Sequence, residues 1–202
     1  MENKKTKGTR SMVELALMSA IIIVMALTPL GYLRTPVLSI TLLTIPVAVG
    51  AMILGPKGGA FLGAVFGATS FAQALSGAGG MTTMLFQTSP LGVTILCFVP
   101  RILEGFLCGG IFWLMRKTKF KKAAFYIAGI SCPVLNTILF MGTVIGLFYQ
   151  TDYIQTLVTT LGAKNPLGFV IALVGIQGVI EAVVCGVLSG TVSLTLAKVF
   201  KR

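Results

Sequence analysis

Between its clusters of basic residues the chain breaks into six apolar stretches, at about residues 11–30, 38–54, 58–75, 91–115, 123–149 and 166–199. A helix of about 20 mostly apolar residues fills a bilayer core. Inside that core no water bonds the backbone, so only helices and closed barrels cross it, and long runs without strand alternation favour the helix. The second and third stretches are short and the last is long, which predicts tilt or a non-helical start in the last. The expectation is an all-α integral membrane protein with six transmembrane helices. Residues 1–202 form a single membrane domain, with 1–10 as a cytoplasmic tail. Composition agrees: 55% of residues are hydrophobic and 10% charged, against about 25% charged in soluble domains.

Orientation follows from lysine and arginine, because positively charged loops stay cytoplasmic. Lys4, Lys5, Lys7, Arg10, Lys57, Arg116, Lys117, Lys119, Lys121, Lys122, Lys198, Lys201 and Arg202 fall on one side, Arg34 and Lys164 on the other. Both termini are therefore expected inside the cell. The net charge of +11 sits in short clusters between spans rather than on one face with interleaved aromatics, which argues against a nucleic-acid partner. The first span follows a basic start but has no small-residue cleavage site after it, and reads as a retained helix.

Several chemistries are excluded by what is missing. Histidine is absent, removing the commonest general base and metal ligand. There is no HExxH, no GxSxG and no pair of intramembrane aspartates, so neither an enzyme nor a metal or cofactor site is expected. Gly55-Pro56-Lys57-Gly58-Gly59 lacks the spacing of a phosphate loop and reads as a tight turn. No ATPase signature and no inverted repeat is visible. Cys97, Cys108, Cys132 and Cys185 all fall inside spans without metal-ligand spacing, and are expected to be reduced packing residues.

Glycine recurs every fourth position at Gly55, Gly59, Gly63 and Gly67, beside Ala60, Ala64 and Ala68. Such small-residue ridges let helix backbones approach closely, and internal packing is the simplest role for this one. A shorter pair, Ala16 and Ala20, lies on the first helix, and from these residues alone internal packing again suffices.

Arg101 stands out because it lies ten positions inside the apolar stretch 91–115. A buried guanidinium in a bilayer costs from about 2.5 to more than 10 kcal/mol, and such residues face protein or water and usually serve function. Glu104, Asn136, Gln177 and Glu181 lie at comparable depth, with Gln73 and Gln87 nearer the outer surface. Gln177 and Glu181 share a helix face, as do Arg101 and Glu104. Two readings follow. Arg101 pairs with Glu104 or Glu181 to pin helices together, or it anchors an anionic solute while Asn136 and Gln177 add neutral hydrogen bonds. The uncharged segment 76–90 is expected to fold down as a lid. Segments 32–39 and 152–165 accompany it, with Phe86, Tyr32, Tyr149 and Tyr153 as apolar covers.

The run TLLTIPVAVGAMILGPKGGAFLGAVFGATSF at 41–71, the segment Pro100-Arg101-Ile102-Leu103-Glu104-Gly105, Asn136-Thr137, and Gly175-Ile176-Gln177-Gly178 with Glu181-Ala182 resemble the substrate-binding S components of energy-coupling factor (ECF) transporters. The resemblance covers most of the chain and is greatest to the pantothenate branch. It implies a six-helix vitamin-binding protein that works with a transmembrane coupling subunit and two cytoplasmic ATPases, with Ala16 and Ala20 facing the coupling subunit. Trp113, the one tryptophan, lies far from the expected site, so a compact flexible acid fits better than an aromatic vitamin. The implied site gathers Arg101, Asn136, Gln177, Glu181, Gln73, Gln87 and Phe86. The competing class is a stand-alone proton-coupled carrier of an organic anion, using Arg101, Glu104 and Glu181.

Overall fold

The computed structural model describes residues 2–34, 39–118 and 121–199, with side chains described for 8–31, 41–118 and 121–199. The side chains of Lys4, Lys5, Lys7, Tyr32, Arg34, Lys119, Lys201 and Arg202, used above for orientation or as a cover, fall outside that set. Eight α-helices are present among the described residues: α1 (Glu2–Leu27), α2 (Thr44–Leu54), α3 (Pro56–Leu75), α4 (Met81–Thr88), α5 (Pro90–Met115), α6 (Ala123–Phe148), α7 (Asp152–Thr160) and α8 (Pro166–Val199). A short antiparallel hairpin, β1 (Tyr32–Arg34) with β2 (Ser39–Thr41), joins α1 to α2 and pairs Tyr32 with Thr41. Prolines open α3, α5 and α8 at the first turn, where a missing N–H costs nothing and the fixed φ already suits a helix.

Five helices are long and apolar enough to cross a membrane: the Gly8–Leu27 part of α1, then α3, α5, α6 and α8. The second apolar stretch behaves differently from expectation. Part of 38–54 is strand β2, and the helix that follows, α2, has only 11 residues, about 16 Å of rise. Proline explains both ends. Pro46 is tolerated only in a first turn, while Gly55, at φ 83°, and Pro56 close the other end. So short a helix needs protein around it, and α2 buries eight of its residues, Thr44, Pro46, Val47, Ala48, Val49, Gly50, Ala51 and Met52. It packs against α1, α3, α5, α6 and α8.

Further stretches also take a definite form. The last stretch has no non-helical start, since α8 is one helix of 34 residues from Pro166, about 51 Å long. Residues 2–10, expected as a cytoplasmic tail, are helical and continuous with α1. Segments 76–90 and 152–165 are not bare loops either, because they contain α4 and α7.

The glycine ridge joins α3 to α5. A Cβ at Gly59 would collide with the carbonyl oxygen of Gly105, one at Gly63 with that of Arg101, and one at Gly67 would lie 2.7 Å from that of Cys97. Gly109 completes the row against Pro56. The two backbones are therefore in direct contact over four turns, the close approach that small residues permit. Helices α6 and α8 meet as closely at one end only, where Gly129 abuts Gly186 and Ser189, and Gly190 abuts Tyr126. Two apolar clusters fill the bundle. One centres on Ile22, Leu43, Val47, Leu62 and Phe66, the other on Leu85, Leu96, Val144, Phe148 and Ile154.

Candidate functional site

Between these clusters lies a cavity of about 660 Å³, within the usual range for a small-molecule site. Each wall is a single helix face. From α3 come Phe66, Ser70 and Gln73; from α6 Asn136, Thr137, Phe140 and Met141; from α8 Leu173, Val174, Gln177 and Glu181; and from α5 Arg101. The spacings of three, four and seven are those that place side chains on one side of a helix. Thr41, at the end of β2, and Gly77 to Thr82 complete the lining.

Arg101 is only 7% exposed and is held from several directions. Its Nη1 donates to the carbonyl oxygen of Leu96 at 2.8 Å, and Nη2 to Ser70 Oγ at 3.4 Å. The first of these bonds follows from the preceding residue. Pro100 has no N–H, so the carbonyl four residues back, that of Leu96, loses its helical donor. The guanidinium supplies the missing proton. Its carbon lies 4.4 Å from the centroid of Phe140 and 5.3 Å from that of Phe66, close enough for cation–π attraction to each ring.

The two carboxylates have different surroundings. Glu104 is fully buried, accepts from Cys132 Sγ at 3.1 Å, and is not part of the cavity wall. Glu181 does line the cavity; its Oε2 accepts from the backbone N–H of Thr41 at 3.4 Å. Three buried acceptor atoms, Glu104 Oε2, Glu181 Oε1 and Asn136 Oδ1, have no hydrogen-bond partner among the described residues.

Of the residues expected at the site, Arg101, Asn136, Gln177, Glu181 and Gln73 are brought around one cavity. Gln73 also donates from Nε2 to the carbonyl oxygen of Ala26 at 2.9 Å, tying α3 to the end of α1. Gln87 and Phe86 are placed elsewhere. Gln87 is exposed on α4, and Phe86 packs edge-on against Phe71 at 5.9 Å. Tyr149 and Tyr153 pack against the second apolar cluster, not on the wall. Segment 76–90, expected as a lid, contributes its glycine turn instead, with Gly77 at φ 82° and Gly80 at φ 58°, and Thr82 Oγ1 donating to the carbonyl oxygen of Gly79 at 2.9 Å.

Sequence reasoning missed Phe66, Ser70, Phe140 and Thr137. A usable signal existed, since Phe66 and Ser70 flank Gly67 on α3, and Phe140 lies one turn after Asn136. All four cysteines are free and buried, as expected. Ala16 and Ala20 are both exposed on α1, so they do not serve internal packing among the described residues.

Residues 10–193 match the family described as ECF transporter, substrate-specific component. The chain belongs to that family. It is also 29% identical, over all of its length and 98% of the relative's, to a protein of Leuconostoc mesenteroides named pantothenate transporter PanT. A Lactococcus lactis protein named pantothenic acid transporter PanT is 35% identical over 61% of this chain and 64% of its own length. Membership of this family, with several apolar helices long enough to span, makes the chain a multi-pass membrane protein of transport rather than catalysis.

Proposed function

We propose that the chain is the high-affinity vitamin-binding subunit of an ATP-driven ECF importer in a bacterial plasma membrane, with pantothenate or a similarly small carboxylate vitamin as its solute. It has six spans, α2 with its hairpin serving as the second, and both termini face the cytoplasm. Arg101 grips the carboxylate, and Asn136, Gln177, Glu181 and Gln73 surround the rest of the molecule. The observation that carries this reading is the position of Arg101. Its guanidinium, nearly buried and within cation–π distance of two phenyl rings, lines a cavity of about 660 Å³. The names of the two relatives support the same solute.

Transport then needs a transmembrane coupling subunit and two cytoplasmic ATPases. The exposed pair Ala16 and Ala20 on α1 offers the coupling subunit a small-residue face for close helix contact. Replacing both with leucine blocks that approach from a site well away from Arg101. The double variant is expected to bind vitamin with unchanged affinity, to lose copurification with the coupling subunit, and to support no uptake. Liposomes containing the wild-type chain alone, or the chain with its coupling module and ATP, provide the control. Robust uptake by the isolated chain would establish the proton-coupled carrier instead.

A further inference from the structure

A site for an anion has an evident reason to hold Arg101 and no evident reason to hold a carboxylate. Yet Glu181, only 4% exposed, lines the same cavity, and its Oε1 has no hydrogen-bond partner among the described residues. Its other oxygen is committed to the N–H of Thr41 at 3.4 Å, which fixes the orientation of the group. A buried acceptor left unpaired is costly. The solute can supply the donor. Asn136 Oδ1, on the facing helix α6, is a second buried acceptor in the same situation.

We propose that Glu181 sets specificity by accepting a hydroxyl from the solute, so that the cavity selects carboxylates that also carry hydroxyl donors. The inference rests on the vitamin reading above and adds to it a polarity along the ligand. The carboxylate end is drawn to Arg101 and repelled by Glu181, and the donor-bearing end is drawn to Glu181 and Asn136. A plain aliphatic carboxylate of the same size satisfies Arg101 but leaves Glu181 Oε1 unpaired. A site built to bond a hydroxyl rejects a ligand lacking it far more strongly than an apolar pocket rejects a missing methylene.

The probes are pantothenate, with two hydroxyls and an amide N–H, and N-(3,3-dimethylbutanoyl)-β-alanine, the same skeleton with both hydroxyls replaced by hydrogen. Purified full-length chain is titrated with each by calorimetry. Wild type is expected to prefer pantothenate by about 10- to 100-fold. In Glu181→Gln the amide oxygen must take the Thr41 N–H, which turns the NH2 toward the solute and reverses the polarity at that point. The preference is expected to fall to a few-fold, through weaker pantothenate binding. Glu104→Gln alters a carboxylate outside the cavity wall and should retain the wild-type ratio.

A wild-type chain that binds both compounds equally overturns the inference and leaves the vitamin reading standing. The same holds for a Glu181→Gln variant that keeps the full ratio, or for a ratio abolished by Asn136→Ala but not by Glu181→Gln. A wild-type chain that binds neither compound overturns the vitamin reading itself. The wild-type ratio alone decides should the variant fail to fold.

Discussion

The helix pairs α3–α5 and α6–α8 are built from similar residues and do opposite things. Along α3–α5, glycines at 59, 63, 67, 105 and 109 put backbone against backbone from one end of the contact to the other. Along α6–α8 the contact is as close at Gly129, Gly186 and Gly190, but a Cβ at Gly178 would find its nearest neighbour, Thr137, 3.9 Å away. The first pair is a closed seam and the second diverges. The closed seam carries Arg101, whose carbonyl is one of its contact points, while the diverging pair carries Asn136, Gln177 and Glu181. A charge in a low-dielectric interior is worth its cost only when its position is fixed; the seam fixes Arg101, the Thr41 N–H fixes Glu181, and the neutral Asn136 and Gln177 tolerate a looser frame.

The largest effect should come from forcing the seam apart. Gly63→Leu drives a side chain into the backbone at Arg101, where the obstacle cannot rotate away, and should leave no folded protein. A monodisperse peak on size-exclusion chromatography with normal vitamin binding would show that the seam is not needed. Gly63→Ala should cost about 1–3 kcal/mol through overpacking, read as a lowered thermal midpoint.

Next is the charge that the seam positions. Arg101→Lys keeps the charge but loses the planar fork, and should weaken solute binding by about 1.5–3 kcal/mol, roughly 10- to 150-fold. Arg101→Ala should cost more. Calorimetric titration of folded variants checks both, and unchanged affinity in Arg101→Ala would falsify the anchor role. The smallest effect belongs to the diverging pair. Gly178→Ala meets only ordinary contact with Thr137 and should change stability by no more than about 0.5 kcal/mol. A loss matching that of Gly63→Ala would mean that the two pairs are equally tight and that the comparison is wrong.

Much of this arrangement was legible beforehand because membranes restrict the choices. Apolar length located the five long helices, and the four-residue glycine period marked the close contact before its partner was known. What could not be read was which helix the ridge meets, since glycine spacing carries no information about its neighbour. The second stretch misled because hydropathy does not register Pro46 or the Gly55–Pro56 break, which together limit α2 to 11 residues. At the site, charge and amide content pointed to Arg101, Asn136, Gln177 and Glu181. Gln87 failed because distance along the chain from a lid segment does not give its facing once that segment coils into α4. Phe66 and Phe140 were overlooked because phenyl groups in an apolar helix look like packing, and only the fold shows that both lie close to a guanidinium. Trp113, far from the expected site, has Lys117 Nζ 3.5 Å from its ring centroid.

Pro100 bears on how such a site could be moved or redesigned. By withholding one N–H it leaves the carbonyl of Leu96 without its helical donor, and the Arg101 guanidinium fills that place. Proline and arginine thus behave as one transplantable unit, the first opening a socket in the helix and the second plugging it. Shifting the arginine by a turn without its proline would strand a buried carbonyl at the old position and send the cation to a stretch of α5 with no vacant acceptor waiting. An engineer retargeting this bundle to a longer or shorter acid should therefore carry the dipeptide intact and change the ligand's reach from the α6 and α8 walls.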